Sequence, residues 1–304
     1  MTLPGSLSRA SDGSLLLVGG AHVVLDLCQG RKRAAPDSVE TFWHNQGRRR
    51  AFCDARGIRY QMVVFQDKLV AFAGQVPGQD GIVSPYLRDY APSGEGVLYP
   101  LLTSADFLRT DTHLSARGMA RVTRLIVEGV GISDHAAFDT ACAERTVVNP
   151  ALIGDLGVKC DPPESEEAVQ FRGLAAGRYG SNRMMVGNDG IIDLALNPSA
   201  ATDKTLLIFG DSFFRQILPC LTHYFARIVF LRSRYFHDEL VSAVAPDVIF
   251  AGCAERYLAS VELDAARPHA LSFPLIHGRP TDPTEDFAAL WTLMVDSNRL
   301  AGAT

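Results

Sequence analysis

Apolar and polar positions along the chain fall into two alternating sections, separated by a stretch of different texture. Ser14 to Val18 is a short apolar run that predicts a strand. Asp37 to Arg56 predicts a helix. Asp37 or Ser38 can cap it, Val39, Phe42, Trp43 and Phe52 supply an apolar stripe, and Gly57 stops it. Arg59 to Phe65 (RYQMVVF) reads as a buried strand and completes one β-α-β pass. Val76 to Gly96, rich in Gly, Pro, Ser and Asp, predicts a long loop, and Val97 to Leu102 is apolar again. Leu114 to Val130 predicts a helix with Met119, Val122, Leu125 and Ile126 on one side.

Glu167 to Leu196 is different: short β-like runs, with Asn188-Asp189-Gly190 between two apolar pieces, a hairpin signal. Alternation then returns. Thr205 to Phe209 is a strand, Ser212 to Phe225 a helix that Pro219 is expected to kink, and Arg227 to Leu231 a strand. Asp238 to Val244 is a helix and Asp247 to Ala251 a strand. Strands joined by helical crossovers predict a parallel sheet. A last helix is expected from Asp282-Pro283-Thr284-Glu285, a cap, a first-turn proline and a capping-box glutamate. Its stripe is Phe287, Leu290, Trp291 and Met294.

Composition narrows the class. Lys plus Arg number 29 against 34 Asp plus Glu, a net charge of −5, and 47% of residues are hydrophobic. This is a globular protein and not a basic nucleic-acid binder. Arg31-Lys32-Arg33 and Arg48-Arg49-Arg50 are expected to be solvated helix flanks. No apolar run approaches the roughly 20 residues that span a bilayer, so no membrane insertion is expected. Ser14 to Leu27 is broken by Gly19-Gly20, His22 and Asp26 and lacks a cleavage site, which predicts a cytoplasmic chain. The six cysteines form no CxxC pair and no zinc spacing. Reduced thiols, no metal and no cofactor are expected.

The sharpest chemical signal is TLLIFGDSFFRQIL. A strand ends at Phe209, Gly210-Asp211 turns, and Ser212 opens an amphipathic helix. That junction lies at the carboxyl edge of a parallel sheet, where α/β proteins build sites. Free N–H groups of the helix start, that of Ser212 first, favour an oxyanion there. A helix cap is the plain alternative. A nucleophilic serine needs a base and an orienting group. LRTDTHLSARG offers Asp111 and His113, two apart and able to point the same way when extended. The other histidines, His22, His44, His135, His223, His237, His269 and His277, show no partner pattern. Asp37 with Glu40, and Glu164, Glu166 and Glu167, look like solvated charges.

These landmarks resemble the SGNH-hydrolase-like domain of bacterial polysaccharide O-acetyltransferases, the alginate type (AlgX/AlgJ type). The resemblance runs in order over about Gly13 to Leu258. It takes in DGSLLLVGG, ARGIRYQMVVFQDK with Gln66 at a usual proline and Lys68 kept, and LRTDTHL with Leu114 at a usual tryptophan. GDLGVK, LLIFGDSFF and APDVIFAGCAERYL follow. It implies a three-layer α/β/α sandwich with a mostly parallel sheet, circularly rearranged, because the Asp-His pair precedes the serine. One catalytic domain over 1–304 is expected, with a small β-hairpin insertion at about 160–200 and a C-terminal loop and helix at about 261–304. It implies Ser212 as nucleophile, His113 as base and Asp111 as its orienting group. The implied partners are a carbohydrate acceptor and an acetyl donor, with a membrane-bound O-acyltransferase as one source of the acetyl group. The family is usually exported, the alternative to a cytoplasmic location. An acetyl esterase using the same residues, and an idle assembly subunit, are the competing functions. Lys68 and Arg256 are candidate pocket residues, with a salt bridge from Arg256 to Glu255 or another carboxylate as the alternative. Asn182 and Asn188 are the open candidates for further oxyanion donors.

Overall fold

The computed structural model describes residues 3–184 and 189–301. Its strands are β1 Leu7–Arg9, β2 Leu15–Leu17, β3 Arg59–Phe65, β4 Val97–Leu98, β5 Thr146–Leu152 and β6 Glu166–Phe171, then β7 Arg178–Ser181, β8 Ile192–Leu196, β9 Thr202–Gly210, β10 Phe225–Arg232 and β11 Val248–Ala254. Its helices are α1 Val24–Cys28, α2 Ser38–Asp54, α3 Lys68–Ala71, α4 Ala116–Gly129 and α5 Ala136–Arg145, then α6 Ser212–Leu221, α7 Asp238–Val244, α8 Phe273–Ile276, α9 Phe287–Met294 and α10 Ser297–Ala301.

The main sheet has the order β4-β3-β11-β9-β10-β8-β7. Strands β4, β3, β11, β9 and β10 run parallel, and β8 and β7 add antiparallel at one edge. The central strands are apolar on both sides because both faces are covered. Leu206, Ile208, Ile228, Phe230, Val248 and Phe250 pack on one face, with α4 and α6. Leu207, Phe209, Val229, Leu231 and Ile249, the alternate positions, pack on the other with α7, α9 and α10. The result is a three-layer α/β/α sandwich. Because the parallel strands share one direction, the ends of β3, β9, β10 and β11 all open on the same edge.

Several sequence expectations shift. The expected insertion at 160–200 is not one unit. β6 pairs back to β5, while β7 and β8 extend the main sheet. β8 is buried over Ile192–Ala195, with Ile192, Leu194 and Ala195 in the core and Asp193 met by Arg215 at 2.6 Å, as a strand inside a covered sheet must be. Asn188 of the expected turn lies outside the described residues. The last helix starts at Phe287, not at Asp282. Thr284 is spent on the sheet edge, where its N–H donates to Ser181 O and its hydroxyl accepts the Ser181 N–H, both at 2.9 Å. Pro219 lies in the last turn of α6, which stops at Leu221, and Phe225 already belongs to β10.

Helix α2 begins as expected, but neither Asp37 nor Ser38 caps it with its side chain; Ser38 Oγ accepts the Val261 N–H. Its inner face carries Asn45, Gln46 and Arg49 beside Phe42 and Cys53. Arg49 is not a solvated flank: it makes a buried two-pronged pair with Asp264, at 2.7 Å in each arm. The six cysteines are free thiols. Among the described residues no helix is long and apolar enough to cross a membrane.

Candidate active site

Strand β9 ends at Gly210, where a side chain would meet the Phe214 ring at 2.6 Å. Asp211 follows in extended conformation and caps α6, its Oδ1 accepting the Phe213 N–H at 2.9 Å. Its Oδ2 accepts the Ala254 N–H at 2.7 Å, which ties the turn to the end of β11. Asp211 therefore takes the capping role, and the Ser212 hydroxyl is left for another partner. As the first residue of α6, Ser212 also has a backbone N–H with no intrahelical acceptor.

That partner is His113. Its Nε2 lies 2.8 Å from Ser212 Oγ, and its Nδ1 lies 2.7 Å from Asp111 Oδ1. The same Asp111 oxygen accepts the His113 N–H at 2.9 Å, and Asp111 Oδ2 accepts the Asp155 N–H at 3.0 Å. Burial alone would raise the Asp111 carboxyl. The His113 imidazole and these two backbone donors outweigh it and hold the carboxyl well below the usual carboxylate range. With Nδ1 donating to an ionised Asp111, His113 Nε2 is the acceptor for the serine proton. The imidazole is 5.2 Å from the Phe213 ring, and its side chain remains 23% exposed. Leu114, next in sequence, is clasped by the Gln216 side chain of α6. Oε1 accepts its N–H at 3.1 Å and Nε2 donates to its carbonyl at 2.8 Å.

Of the other sequence candidates, Lys68 and Asn182 are turned to other partners, while Arg256 takes the salt bridge and stays at the cavity wall. Lys68 is not a pocket residue. Its Nζ donates to the carbonyls of Leu108 at 2.6 Å, Arg109 at 3.0 Å and Asp111 at 2.9 Å. Arg256 forms a buried pair with Asp67 at 2.7 Å, not with Glu255, and stacks 5.7 Å from the Phe213 ring. Asn182 is committed at the sheet edge. Its Nδ2 donates to Gly190 O at 2.9 Å, and its Oδ1 accepts the Ile192 and Met184 N–H groups. Asn188 lies outside the described residues. A cavity of about 390 Å³ opens at the strand ends beside Gly210 and Asp211, walled by Arg232, Arg234, Arg256 and Tyr257.

Sequence reasoning missed three groups. Glu166 is buried, with its carboxylate on the loop before His113, and Glu164 pairs with Arg9 at 2.8 Å. Asp155 accepts the Thr112 N–H at 2.7 Å and its hydroxyl at 2.6 Å. The GDLG turn was the only signal for it. His237 has partners after all: Ser233 Oγ is 2.9 Å from its Nε2 and Glu239 Oε1 is 3.2 Å from its Nδ1. This second relay is buried, with Ser233 in the wall of the cavity at the strand ends. Its three residues are 3%, 0% and 3% exposed, Ser233 Oγ also accepts the Tyr235 N–H, and the Ser233 N–H is spent on Gly210 O. Asp111, His113 and Asp155 could together offer three ligand atoms to a metal ion. Doing so would cost His113 its bond to Asp111.

No family model and no curated protein matches the chain. Solved structures do. Bacillus cereus PatB1 is similar at a TM-score of 0.55 and 12% identity, over 83% of this chain and 96% of its own. PatB1 with a sulfonyl adduct is similar at 0.52 and 12%, over 83% and 97%. A DHHW family protein from Eubacterium siraeum is similar at 0.52 and 13%, over 86% and 96%. With the mostly parallel sheet between two helical layers, these likenesses show that the chain shares the three-layer α/β/α fold of those structures.

Proposed function

We propose that the protein is an O-acetyltransferase that moves an acetyl group to a carbohydrate hydroxyl through an acetyl-Ser212 intermediate, and that residues 1–304 act as one catalytic unit. The observation that carries this is the array of Asp111, His113 and Ser212, bonded in series at 2.7 and 2.8 Å on the open edge of the sheet. The ordered sequence landmarks supply the class of acceptor and donor. In the first half-reaction Ser212 Oγ attacks the acetyl carbonyl while His113 Nε2 takes the hydroxyl proton. Asp111 stabilises the imidazolium. The Ser212 N–H faces the developing oxyanion at the helix start. The C–O bond to the donor breaks, and the leaving oxygen receives the proton from His113. In the second half a sugar hydroxyl gives its proton to His113 and takes the acetyl group, which restores Ser212.

A second reading is ester hydrolysis by the same steps, with water as acceptor. The partial exposure of His113 favours it, because water reaches the imidazole. An acetyl ester assayed with and without an oligosaccharide separates the two: transfer predicts acetylated sugar, hydrolysis only acetate. Ser212→Ala and His113→Ala should each lower ester turnover by at least about a thousandfold with the fold intact, and Asp111→Asn by about a hundredfold or more. Since PatB1 of this fold carries a sulfonyl adduct, a sulfonyl fluoride is a suitable trapping reagent. Mass spectrometry should find the adduct on the Ser212 peptide. Near-wild-type turnover in Ser212→Ala would place the nucleophile elsewhere.

A further inference from the structure

The loop from Leu108 to His113 has no regular secondary structure through Asp111 and His113, yet most of its polar backbone groups are met by named partners. Lys68 Nζ takes the carbonyls of Leu108, Arg109 and Asp111. Leu156 and Gly157 donate to the Thr110 carbonyl at 3.0 and 2.8 Å. Glu166 takes the donors: its carboxylate accepts the Arg109 N–H at 2.8 Å, the Thr110 N–H at 2.7 Å and the Thr110 hydroxyl at 2.8 Å. Asp155 takes those of Thr112. Lys68 is 2% exposed and Glu166 7%. A buried ammonium is costly unless each of its protons finds an acceptor. Here three protons meet three carbonyls, those of Leu108 and Arg109 just before Thr110 and that of Asp111 just after it.

We infer that Lys68 and Glu166 are a pair of positioning residues that set the Asp111–His113 geometry, the cation by holding the loop's carbonyls and the anion by holding its N–H groups. This rests on the triad reading above. An alternative role in folding alone would make any loss of activity follow loss of structure. A positioning role predicts a folded enzyme with a slower chemical step. Misplacement of a general base by about 1 Å can cost about a hundredfold.

The ammonium has a further property. Burial brings Lys68 down to about 8, against the pull of the Glu166, Asp111, Asp155 and Asp12 carboxylates. The Phe72 ring lies 5.6 Å from Nζ. The Arg109 side chain reaches toward Gly13. A neutral amine keeps two N–H donors, so deprotonation frees one of the three carbonyls. Because the folded form releases its proton at lower pH than the unfolded chain, this titration does not itself destabilise the fold as pH rises. Activity should therefore fall in the alkaline range while the protein stays folded.

The test uses the full chain with Lys68→Met, Lys68→Arg and Glu166→Gln, each checked for folding by circular dichroism. The readouts are kcat and KM on an acetyl ester, the rate of Ser212 sulfonylation, and the low-field proton resonance of His113 Nδ1–H. The expected result is kcat and sulfonylation lowered by about 10- to 100-fold in Lys68→Met and Glu166→Gln, with KM within about threefold. The resonance should be shifted or lost, and Lys68→Arg should recover part of the rate. Wild type should lose activity in the alkaline range, and Lys68→Met should lack that limb. A folded Lys68→Met that sulfonylates at the wild-type rate with an unchanged resonance overturns the inference. If Lys68→Met does not fold, the same outcome in Glu166→Gln overturns it. Wild type that is never sulfonylated at Ser212 would instead sink the triad reading, and this inference with it.

Discussion

Glu255 illustrates how much a single interior side chain can hold. Its carboxyl receives the Asp67 N–H at 2.9 Å, the Tyr86 N–H at 3.3 Å and the hydroxyls of Ser84 and Tyr99. Burial nevertheless dominates, and pushes its carboxyl up to about 7 from an ordinary value of 4.5. Between those values the folded protein keeps a proton that the unfolded chain has released. Stability contributed by this group is therefore present below that window and lost as pH rises through it. Urea unfolding at about pH 5 and about pH 8 should show wild type losing stability between them. Glu255→Gln, which cannot ionise, should lose less. An identical loss in the variant would show that another group governs the slope. Glu255 and Glu166 look the same in sequence as the exposed Glu167. Only burial separates them, and burial is a property of the packed chain.

Among the elements, the loops at the sheet edge carry more of the design than the helices. The 108–113 loop is pressed against the turn at Gly154. A Cβ on Gly154 would lie 2.4 Å from Thr110 O and 2.6 Å from Asp111 Cβ. Gly154→Ala must therefore move the Asp111 segment or the turn. We expect a folded protein, destabilised by about 1–3 kcal/mol, with kcat lowered by about 10- to 100-fold. Kinetics alongside a denaturation curve checks both parts. Wild-type kcat would mean that the turn, not the loop, gives way. Helix α6 was legible because its stripe of Phe213, Phe214, Ile217, Leu218 and Leu221 buries one face and Asp211 stands at its start. Strands β5 to β8 were not. Their residues alternate only weakly, and which partner each one takes depends on chain segments up to 20 or more residues away.

For the whole molecule, the central sheet is the support on which the site rests. Phe250 on β11 is fully buried and packs its ring 6.1 Å from Phe214 of α6 and 5.9 Å from Phe225 of β10. Phe250→Ala should cost about 3–5 kcal/mol, read as a lower denaturant midpoint at unchanged slope. A loss under about 1 kcal/mol would mean that the core closes over the gap.

The sequence by itself determined the sheet-forming strands 59–65, 205–209, 227–231 and 247–251, the crossover helices between the last three, and the short chain distance between Asp111 and His113. Those follow from local periodicity and from cap and turn chemistry, which act over a few residues. What only the tertiary structure decided was the meeting of His113 with Ser212, 99 positions apart, and the turning inward of Lys68, Glu166 and Arg256. Their charges are satisfied by backbone groups and carboxylates from distant segments. The reason is physical: a charged side chain enters the interior only where the fold delivers the partners that replace its water, and no local pattern records that delivery.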